Sequence, residues 1–240
     1  MNFWRVFYNG VWQARKNNLM NIAIKKHSGL IYAYIGVLLL FSCGSLREES
    51  QYKNPETVLF HANKVLVVGM VSDYGTRLRL ESHLKDAFAE RGVEAMRSVD
   101  LFDVAFTASE RTEAELDKVE QQLLDKDFDA ILFSKRIDSD TRSQLSSQLA
   151  EMGRSYERFS EDYLIHQGIY YDEDKDANQK HYTAETSLYC ICTGKERELI
   201  WRSDVRLPKR RNSAGVIDNY ADWLIQRLED QQLIIGHESF

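Results

Sequence analysis

The chain has 240 residues, of which 43% are hydrophobic and 28% are charged, and its formal net charge is −6. This composition is typical of a globular protein with one domain or two. Residues 1–42 hold five basic residues and no acidic one, so the remainder carries 26 basic and 37 acidic residues, a net charge of −11. A domain this acidic repels a phosphate backbone, which argues against a nucleic-acid partner.

Three cysteines, Cys43, Cys190 and Cys192, are too few for a disulfide scaffold. If Cys190 and Cys192 lie on one strand, they point to the same face, and a bridge between residues two apart requires strained geometry. We therefore expect both to be buried free thiols.

The amino-terminal segment has the pattern of a secretory signal. Lys25 and Lys26 precede a run of 13 apolar residues, 29–41, which ends at Ser42 and Cys43. A spanning helix needs about 20 apolar residues, so the run is short for a permanent membrane span. We expect residues 1–42 to be a signal peptide. A start at Met20 gives a signal of conventional length, so residues 1–19 are expected to be an over-called start or a disordered extension.

The segment Leu40-Phe41-Ser42-Cys43 resembles the lipobox of bacterial lipoproteins, with Phe41 where that family has a small or aliphatic residue. The resemblance implies that the thiol of Cys43 is diacylated and that Cys43 becomes the new amino terminus, and two acyl chains anchor a protein stably. The alternative is an uncleaved signal anchor. Gly44 rather than Asp after the cysteine favours, by the same resemblance, the outer membrane, facing the periplasm or the cell surface.

The first part of the domain reads as alternating strands and helices. Residues 64–71, KVLVVGMV, form the aliphatic run of a strand buried on both faces, while residues 43–63 before it are predicted to be a flexible tether. Apolar residues at helical spacing follow within 77–91, ending at Gly92. A weaker strand at 93–98, a helix from the capping box at Thr112, and a strand at 129–137 complete a βαβαβ order with parallel neighbours.

The second part changes to alternating polarity. Residues 163–171, 182–192 and 199–207 are rich in Tyr, Ile, Thr and Trp, which predicts a three-stranded antiparallel meander. Ser213 then begins a closing helix with one apolar stripe. The sequence therefore predicts a single α/β domain over 64–235, with a mixed sheet, a βαβαβ start, an antiparallel meander and a C-terminal helix.

This order of elements is similar to that of small envelope domains in the curli secretion lipoprotein family and in the amino-terminal domain of the Tol-Pal translocation protein. The resemblance covers residues 64–234 and is one of pattern. It implies assembly and binding rather than catalysis.

Two sets of residues are candidate ligand sites. Gly69 and Gly75 flank a turn, and Ser72, Asp73 and Thr76 lie near the start of the helix that follows, where a helix start attracts anions; a structural turn capped by Ser72 or Asp73 is the favoured interpretation. His166 and His181 lie at equal distances from the centre of the predicted hairpin and would face each other across it, so they are candidates for binding one metal ion. Polar pairing of the two side chains across the strands is the simpler and favoured interpretation.

The sequence contains no recognised catalytic motif and implies no cofactor. We expect a lipid-anchored cell-envelope protein that acts as a non-catalytic binding or assembly module. Its partners are expected to be the membrane, through the acyl chains on Cys43, and an envelope protein or cell-wall material. The alternative is a hydrolase or small-ligand sensor that uses the turn between Gly69 and Gly75.

Overall fold

The structure is a computed structural model that describes residues 46–57, 60–137, 158–171, 181–191, 198–209 and 213–234. The chain divides into two units, Met1–Ser45 and Leu46–Phe240, and all the described residues belong to the second. The predicted signal peptide and Cys43 therefore lie outside the described residues.

Six strands form one mixed sheet in the order β1-β6-β5-β4-β2-β3. The strands are β1 Arg47–Lys53, β2 Lys64–Met70, β3 Glu94–Arg97, β4 Ala130–Ile137, β5 His181–Cys190 and β6 Glu198–Pro208. Strand β2 pairs in parallel with β3 and β4, and the other pairs are antiparallel. The helices are α1 Tyr74–Ala89, α2 Ser98–Leu101, α3 Val104–Thr107, α4 Glu113–Leu124, α5 Phe159–His166 and α6 Ser213–Asp230, with a 3₁₀ helix at Gln167–Tyr170. The predicted α/β class, βαβαβ start and C-terminal helix are confirmed.

Helices cover both faces of the sheet, because the crossover from β2 to β3 and the crossover from β3 to β4 use opposite sides. Helices α1 and α6 pack on one face, where Leu84 and Leu224 are fully buried. Helices α4 and α5 pack on the other, where Leu116 and Phe159 are buried. Burying each such side chain stabilises the fold by about 1.5–3 kcal/mol, so each apolar stripe determines which side of its helix faces the sheet.

The ends of two helices follow the sequence signals. At the start of α4, the Thr112 amide donates to the Glu115 carboxylate at 2.8 Å, and the Glu115 amide donates to the Thr112 hydroxyl at 3.4 Å, which is the predicted capping box. After α1, Gly92 has φ 74°, a left-handed conformation that glycine adopts without a Cβ clash. Within the described parts of the chain, no helix has the length and apolar character needed to cross a membrane.

The predicted strand at residues 163–171 is wrong. This segment lies in α5 and the 3₁₀ helix, although its tyrosines and isoleucines favour strands. Tertiary contacts outweigh that propensity, because the helical spacing of Phe159 and Tyr163 places both rings against Phe133 of β4. In the structure the place beside β5 that the prediction gave to this segment belongs to β4, and β1 joins the antiparallel part of the sheet on the far side of β6.

The predicted flexible tether at residues 43–63 is also wrong over Arg47–Lys53, where the chain forms edge strand β1. Its sequence, REESQYK, lacks an apolar alternation because polar contacts hold it to β6 and α6. The Glu48 carboxylate accepts hydrogen bonds from the Ser203 hydroxyl at 2.8 Å and from Arg227 at 2.6 Å. Ser50 donates to Asp204 at 2.7 Å. The folded domain thus begins close to residue 46 rather than at residue 64.

Cys190 differs from expectation as well. It is buried at the end of β5 and is disulfide-bonded, so the prediction of a free thiol there is wrong. The cysteine with which it pairs, Cys43 or Cys192 by the sequence, is not among the described residues.

Candidate functional site

The predicted anion turn after β2 uses its own polar groups. Asp73 is the N-cap of α1, and its carboxylate accepts a hydrogen bond from the Thr76 amide at 2.5 Å. The Gly69 amide donates to the Glu81 carboxylate at 2.9 Å. Ser72 lies at the exposed start of the turn. The turn therefore has the structural role favoured by its sequence, with two of its amides already bound within the chain.

Glu81 organises the polar groups around this turn. Its fully buried carboxylate accepts hydrogen bonds from Arg77 Nε at 3.1 Å, from the Ser98 hydroxyl at 2.6 Å and from the Val99 amide at 3.1 Å. The contacts join α1 to the ends of β2 and β3. This carboxylate fixes the geometry of the parallel strand ends rather than offering an open acid.

The geometry that motivated a metal site at His166 and His181 is wrong. His166 lies in helix α5 and is buried, whereas His181 is the exposed first residue of β5, so the two do not face each other across a hairpin. The Nδ1 atom of His166 lies 2.9 Å from the Asp162 carbonyl oxygen and 2.7 Å from the Asp162 carboxylate. Among the described residues, no group of three or more His, Cys, Asp or Glu side chains is arranged to hold a metal ion.

A cluster of buried charges lies between α5 and the sheet, and the sequence interpretation did not identify it. Lys135 of β4 extends its ammonium to Asp162 of α5 and, at 2.6 Å, to Glu185 of β5. The side chains of Lys135 and Asp162 are 0% exposed, and that of Glu185 is 11% exposed. We refer to Lys135, Asp162, His166, Glu185, Tyr189 and Arg202 together as the buried charge cluster.

Hydrogen bonds complete this cluster around the Asp162 carboxylate. The Tyr189 hydroxyl donates to it at 2.6 Å, and the Arg202 guanidinium lies 4.0 Å from it. Arg202 also donates to the Tyr189 hydroxyl at 3.1 Å and to the Ser187 hydroxyl at 2.9 Å. The strand register explains the grouping, because Lys135 pairs with Glu185 and Ser187 pairs with Arg202, which places all four on the face under α5.

Electrostatics keep the acids of the cluster ionised. Burial disfavours the charged form of Asp162, but the ammonium of Lys135 and the hydrogen bond from His166 hold its pKa well below the ordinary value. The pKa of Glu185 is lowered too, because Lys135 outweighs burial and the nearby charge of Asp162. Burial and the adjacent Asp162 raise the pKa of the Tyr189 hydroxyl far above its ordinary value.

These protonation states limit the chemistry of the cluster. A carboxylate held ionised is a weak base, and a tyrosine held neutral is a poor nucleophile. The arrangement instead attaches α5 to the sheet through charge-assisted hydrogen bonds. The signal that identifies it in the sequence is a lysine inside an otherwise apolar strand, AILFSKRI, since a buried lysine requires an acidic partner.

Two of the cavities lined by described residues differ in size and chemistry. One lies among Phe102, Phe106, Tyr163 and Tyr170, and at about 10 Å³ it holds at most one water molecule. The other is a surface groove of about 450 Å³ between α1 and α6. His83 of α1 meets Asp222 of α6 at 2.6 Å in this groove, so it is lined by charged groups rather than by the apolar surface typical of ligand pockets.

The two ends of the sheet differ in charge. The register places Arg47 of β1 beside Arg206 of β6, Arg206 beside Thr183 of β5, and Thr183 beside Ile137 of β4. We call this the entry end, because the chain enters β1 there. At the entry end, Arg47, His181 and Arg206 are exposed, and Lys209 follows β6. Glu49 pairs with Arg206.

The opposite end, which we call the far end, is acidic. It contains the starts of β2, β3 and β4 and the ends of α1, α4 and α6. Its exposed acidic residues are Glu56, Glu90, Glu94, Asp125, Asp127 and Asp230. Lys126 and His61 are exposed there as well. Exposed acids occur at both ends of the sheet, since Asp73, Asp100, Asp103, Glu110 and Glu113 lie at the entry end.

Comparison with solved structures gives partial likenesses in fold, two of which follow. No family model and no curated protein matches the sequence. A PelC dodecamer from Paraburkholderia phytofirmans aligns with a TM-score of 0.38 at 10% identity, over 79% of this chain and 97% of that chain. The lipoprotein GNA1162 from Neisseria meningitidis aligns with a TM-score of 0.34 at 13% identity, over 70% of this chain and 98% of that one. At these TM-scores the likenesses carry no argument about function.

Proposed function

We propose that this chain is a lipid-anchored protein of the bacterial cell envelope, acylated at Cys43, whose α/β domain acts as a non-catalytic binding or assembly module. The lipobox-like segment ending at Cys43 is the observation that carries the proposal. A short apolar run preceded by lysines and followed by a cysteine has the layout of a cleaved signal rather than of a spanning helix.

Two structural features support this assignment. Strand β1 begins at Arg47, four residues after Cys43, so a lipid on that cysteine would hold the sheet within about 14 Å of the bilayer surface. The disulfide at Cys190 suits an oxidising compartment outside the cytoplasm, and under this proposal its partner is Cys192, because an acylated Cys43 has no thiol to pair.

The non-catalytic role is supported by the state of the ionisable groups. The acids of the buried charge cluster are ion-paired and shielded, and the Glu81 carboxylate is bound by four neighbouring groups of the protein. Two amides at the edges of this turn, those of Gly69 and Thr76, donate to Glu81 and Asp73, so neither is available to a ligand in the alternative of a hydrolase or ligand sensor at that turn.

The test is metabolic labelling of the full chain with an alkyne analogue of palmitate, in a bacterial host that processes lipoproteins. We expect a labelled mature protein in the membrane fraction, and an unlabelled precursor for Cys43→Ser. The control is Cys190→Ser with Cys192→Ser, which removes both cysteines outside the lipobox, leaves no unpaired thiol and keeps the label. A wild-type chain that stays unlabelled, or a Cys43→Ser variant that is still labelled, would overturn the proposal.

The finer location is part of the same proposal. Gly44 after the cysteine favours the outer membrane by the sorting pattern of enterobacterial lipoproteins. Separation of inner and outer membranes on a density gradient should place the labelled protein in the outer-membrane fraction. A Gly44→Asp variant is expected to move to the inner membrane, and an unchanged distribution of this variant would contradict the sorting argument.

A further inference from the structure

We infer that the entry end of the sheet, on the side of β2 and β3, is a docking surface for an arginine- and lysine-rich segment of another protein, whose cations lie on exposed tyrosine rings beside carboxylates. We call this surface the aromatic corner. Its rings are Tyr74, Phe106, Tyr170 and Tyr171, and its exposed acids are Asp73, Asp100, Asp103, Glu110 and Glu113. The inference rests on the proposal that the domain is a binding module, and it adds the surface and the chemistry of the partner.

The rings of the aromatic corner lie close together although they come from different elements. Tyr74 begins α1, and Arg77, one helical turn later, places its guanidinium 5.2 Å from the ring centre of Tyr170. Tyr171 follows Tyr170 at the end of the 3₁₀ helix. Tyr74 is 57% exposed and Tyr171 is 40% exposed. Two exposed rings therefore flank the contact between Arg77 and Tyr170 on one continuous surface.

The arginines of the corner itself already occupy sites of the inferred kind. The guanidinium of Arg111 lies 5.1 Å from the ring centre of Phe106, and its Nη1 lies 3.4 Å from the Glu115 carboxylate. Arg77 lies over Tyr170 in the same way, with Glu81 at 3.1 Å. In both contacts a guanidinium lies on an aromatic face and pairs with a carboxylate, which is a favourable site for arginine.

Tyr74 and Tyr171 provide the same ring chemistry without an occupant from the described residues, since none of the described cations lies over either ring. Acids lie beside both rings. Asp73 precedes Tyr74 in the chain. Burial raises the pKa of Tyr171, while the charges of Arg111 and Glu110 shift it in opposite directions, so Glu110 lies near this hydroxyl. Each exposed ring is thus accompanied by a carboxylate, as the rings of Phe106 and Tyr170 are.

The charge of the corner is complementary to a basic partner. The arginines of the corner are each paired with an acid, and Asp100 is the partner of Arg97 at 2.7 Å. The exposed acids that form no ion pair with a described residue are Asp73, Asp103, Glu110 and Glu113. These four negative charges attract a cationic segment and repel an anionic one, such as a phosphate-bearing polymer.

The spacing of the rings favours a chain with several cations over a small cation. Arg77 and Tyr170 lie between Tyr74 and Tyr171, so one ammonium or guanidinium group cannot contact both exposed rings. An extended peptide advances about 3.3 Å per residue, and cations on alternate residues point to the same side. A basic segment of a few residues therefore spans the two rings and the acids between them.

The experiment measures binding of a basic peptide to the full chain, purified in non-ionic detergent. The probe is a short fluorescein-labelled peptide of alternating arginine and glycine, and its anisotropy is followed at physiological ionic strength. Tyr74→Ser with Tyr171→Ser removes both exposed rings. The control is Tyr52→Ser, which removes a ring that is 47% exposed on edge strand β1, at the other side of the sheet.

A second pair of variants separates the corner from the general acidity of the domain. Glu110→Gln with Glu113→Gln removes two exposed acids of the aromatic corner. Glu56→Gln with Glu90→Gln removes two exposed acids of the far end and lowers the net charge by the same amount. Urea unfolding of every variant verifies that the fold is intact.

We expect the loss of both rings to weaken binding about tenfold, because each exposed contact between a cation and a ring contributes a few-fold. The loss of Glu110 and Glu113 should weaken it about threefold, and both controls should bind like the wild type. Equal weakening by the corner acids and the far-end acids, or unchanged binding without the rings, would overturn the inference, since charge alone would then attract the probe. Displacement of the peptide by soluble peptidoglycan strands would also overturn it, in favour of a glycan partner.

Labelling with the palmitate analogue is scored on the same preparations, so that the two proposals fail separately. A labelled protein that does not bind the peptide refutes the docking surface and leaves the acylation standing. An unlabelled protein that binds the peptide through the two rings refutes the acylation and supports the docking surface.

Discussion

Replacing Lys135 by methionine tests the energetic role of the buried charge cluster. Methionine keeps most of the side-chain length but removes the ammonium that contacts Asp162 and Glu185. Both carboxylates then remain buried without the ammonium. The guanidinium of Arg202 lies 4.0 Å from the Asp162 carboxylate and 3.5 Å from the Glu185 carboxylate. Removing one partner of a buried ion pair costs about 3–5 kcal/mol, because an uncompensated charge remains.

The free energy of unfolding is measured by urea titration of the purified protein, followed by the fluorescence of buried Trp201. A loss of about 4 kcal/mol, with a urea dependence of about 2 kcal/mol/M, lowers the midpoint by about 2 M. This is a large part of a total stability of about 5–15 kcal/mol. The matched control is Lys126→Met at the exposed end of α4, which should change stability by less than about 0.5 kcal/mol.

Repeating the Lys135→Met substitution in an Asp162→Asn variant separates the effect of charge from a simple loss of packing. In an Asp162→Asn variant, one of the two stranded carboxylates is absent, so Lys135→Met should cost less than it does in the wild type. If Lys135→Met costs under about 1 kcal/mol, or costs the same in both backgrounds, the cluster does not hold α5 as argued.

Three further predictions concern other contacts. The pKa of Asp162 is depressed in the folded state below its ordinary value of 3.8, so its contribution to stability is full above about pH 4 and is lost as the pH falls through the folded pKa. Between pH 5 and 2 the free energy of unfolding should therefore fall more steeply for the wild type than for Asp162→Asn. Equal slopes in the two proteins would refute this. Thr112→Ala removes the side-chain half of the capping box of α4 and should cost about 1 kcal/mol, or about 2–4 °C in Tm, whereas an unchanged Tm would show that the cap is dispensable. Glu48→Ala removes the carboxylate that accepts hydrogen bonds from Ser203 and Arg227, so backbone amide hydrogen exchange in β1 should accelerate while exchange in β4 stays constant. If β1 of the wild-type protein exchanges as fast as an unfolded chain, the interpretation of this segment as a flexible tether is restored.

Apolar periodicity was sufficient to predict the elements whose partners are the core itself. The aliphatic runs in β2 and β4 and the stripes of α1, α4 and α6 all bury the residues that the patterns indicate, including Leu80, Leu123 and Leu228. In these elements local pattern and tertiary environment agree. The capping box at Thr112 was predictable for the same reason, since both of its partners lie within four residues.

Elements held by long-range polar contacts were not predictable in this way. Strand β1 has no apolar alternation, because Glu48 is bound by Ser203 and Arg227, which lie more than 150 residues away. The predicted strand at 163–171 covered the second half of α5 because of its β-favouring residues. The helix is instead fixed by Asp162 and His166, which are four residues apart and complete the buried charge cluster. The acidic partners of Lys135 lie on two other elements, α5 and β5, so only the unusual lysine itself was visible in the sequence.

The state of the amino terminus of the native protein tests the central claim most directly. Mass spectrometry of the amino-terminal peptide of the membrane-bound protein should find Cys43 as the first residue, with its sulfur carrying diacylglycerol. A peptide that continues through Ser42 into unmodified Cys43 would contradict the account.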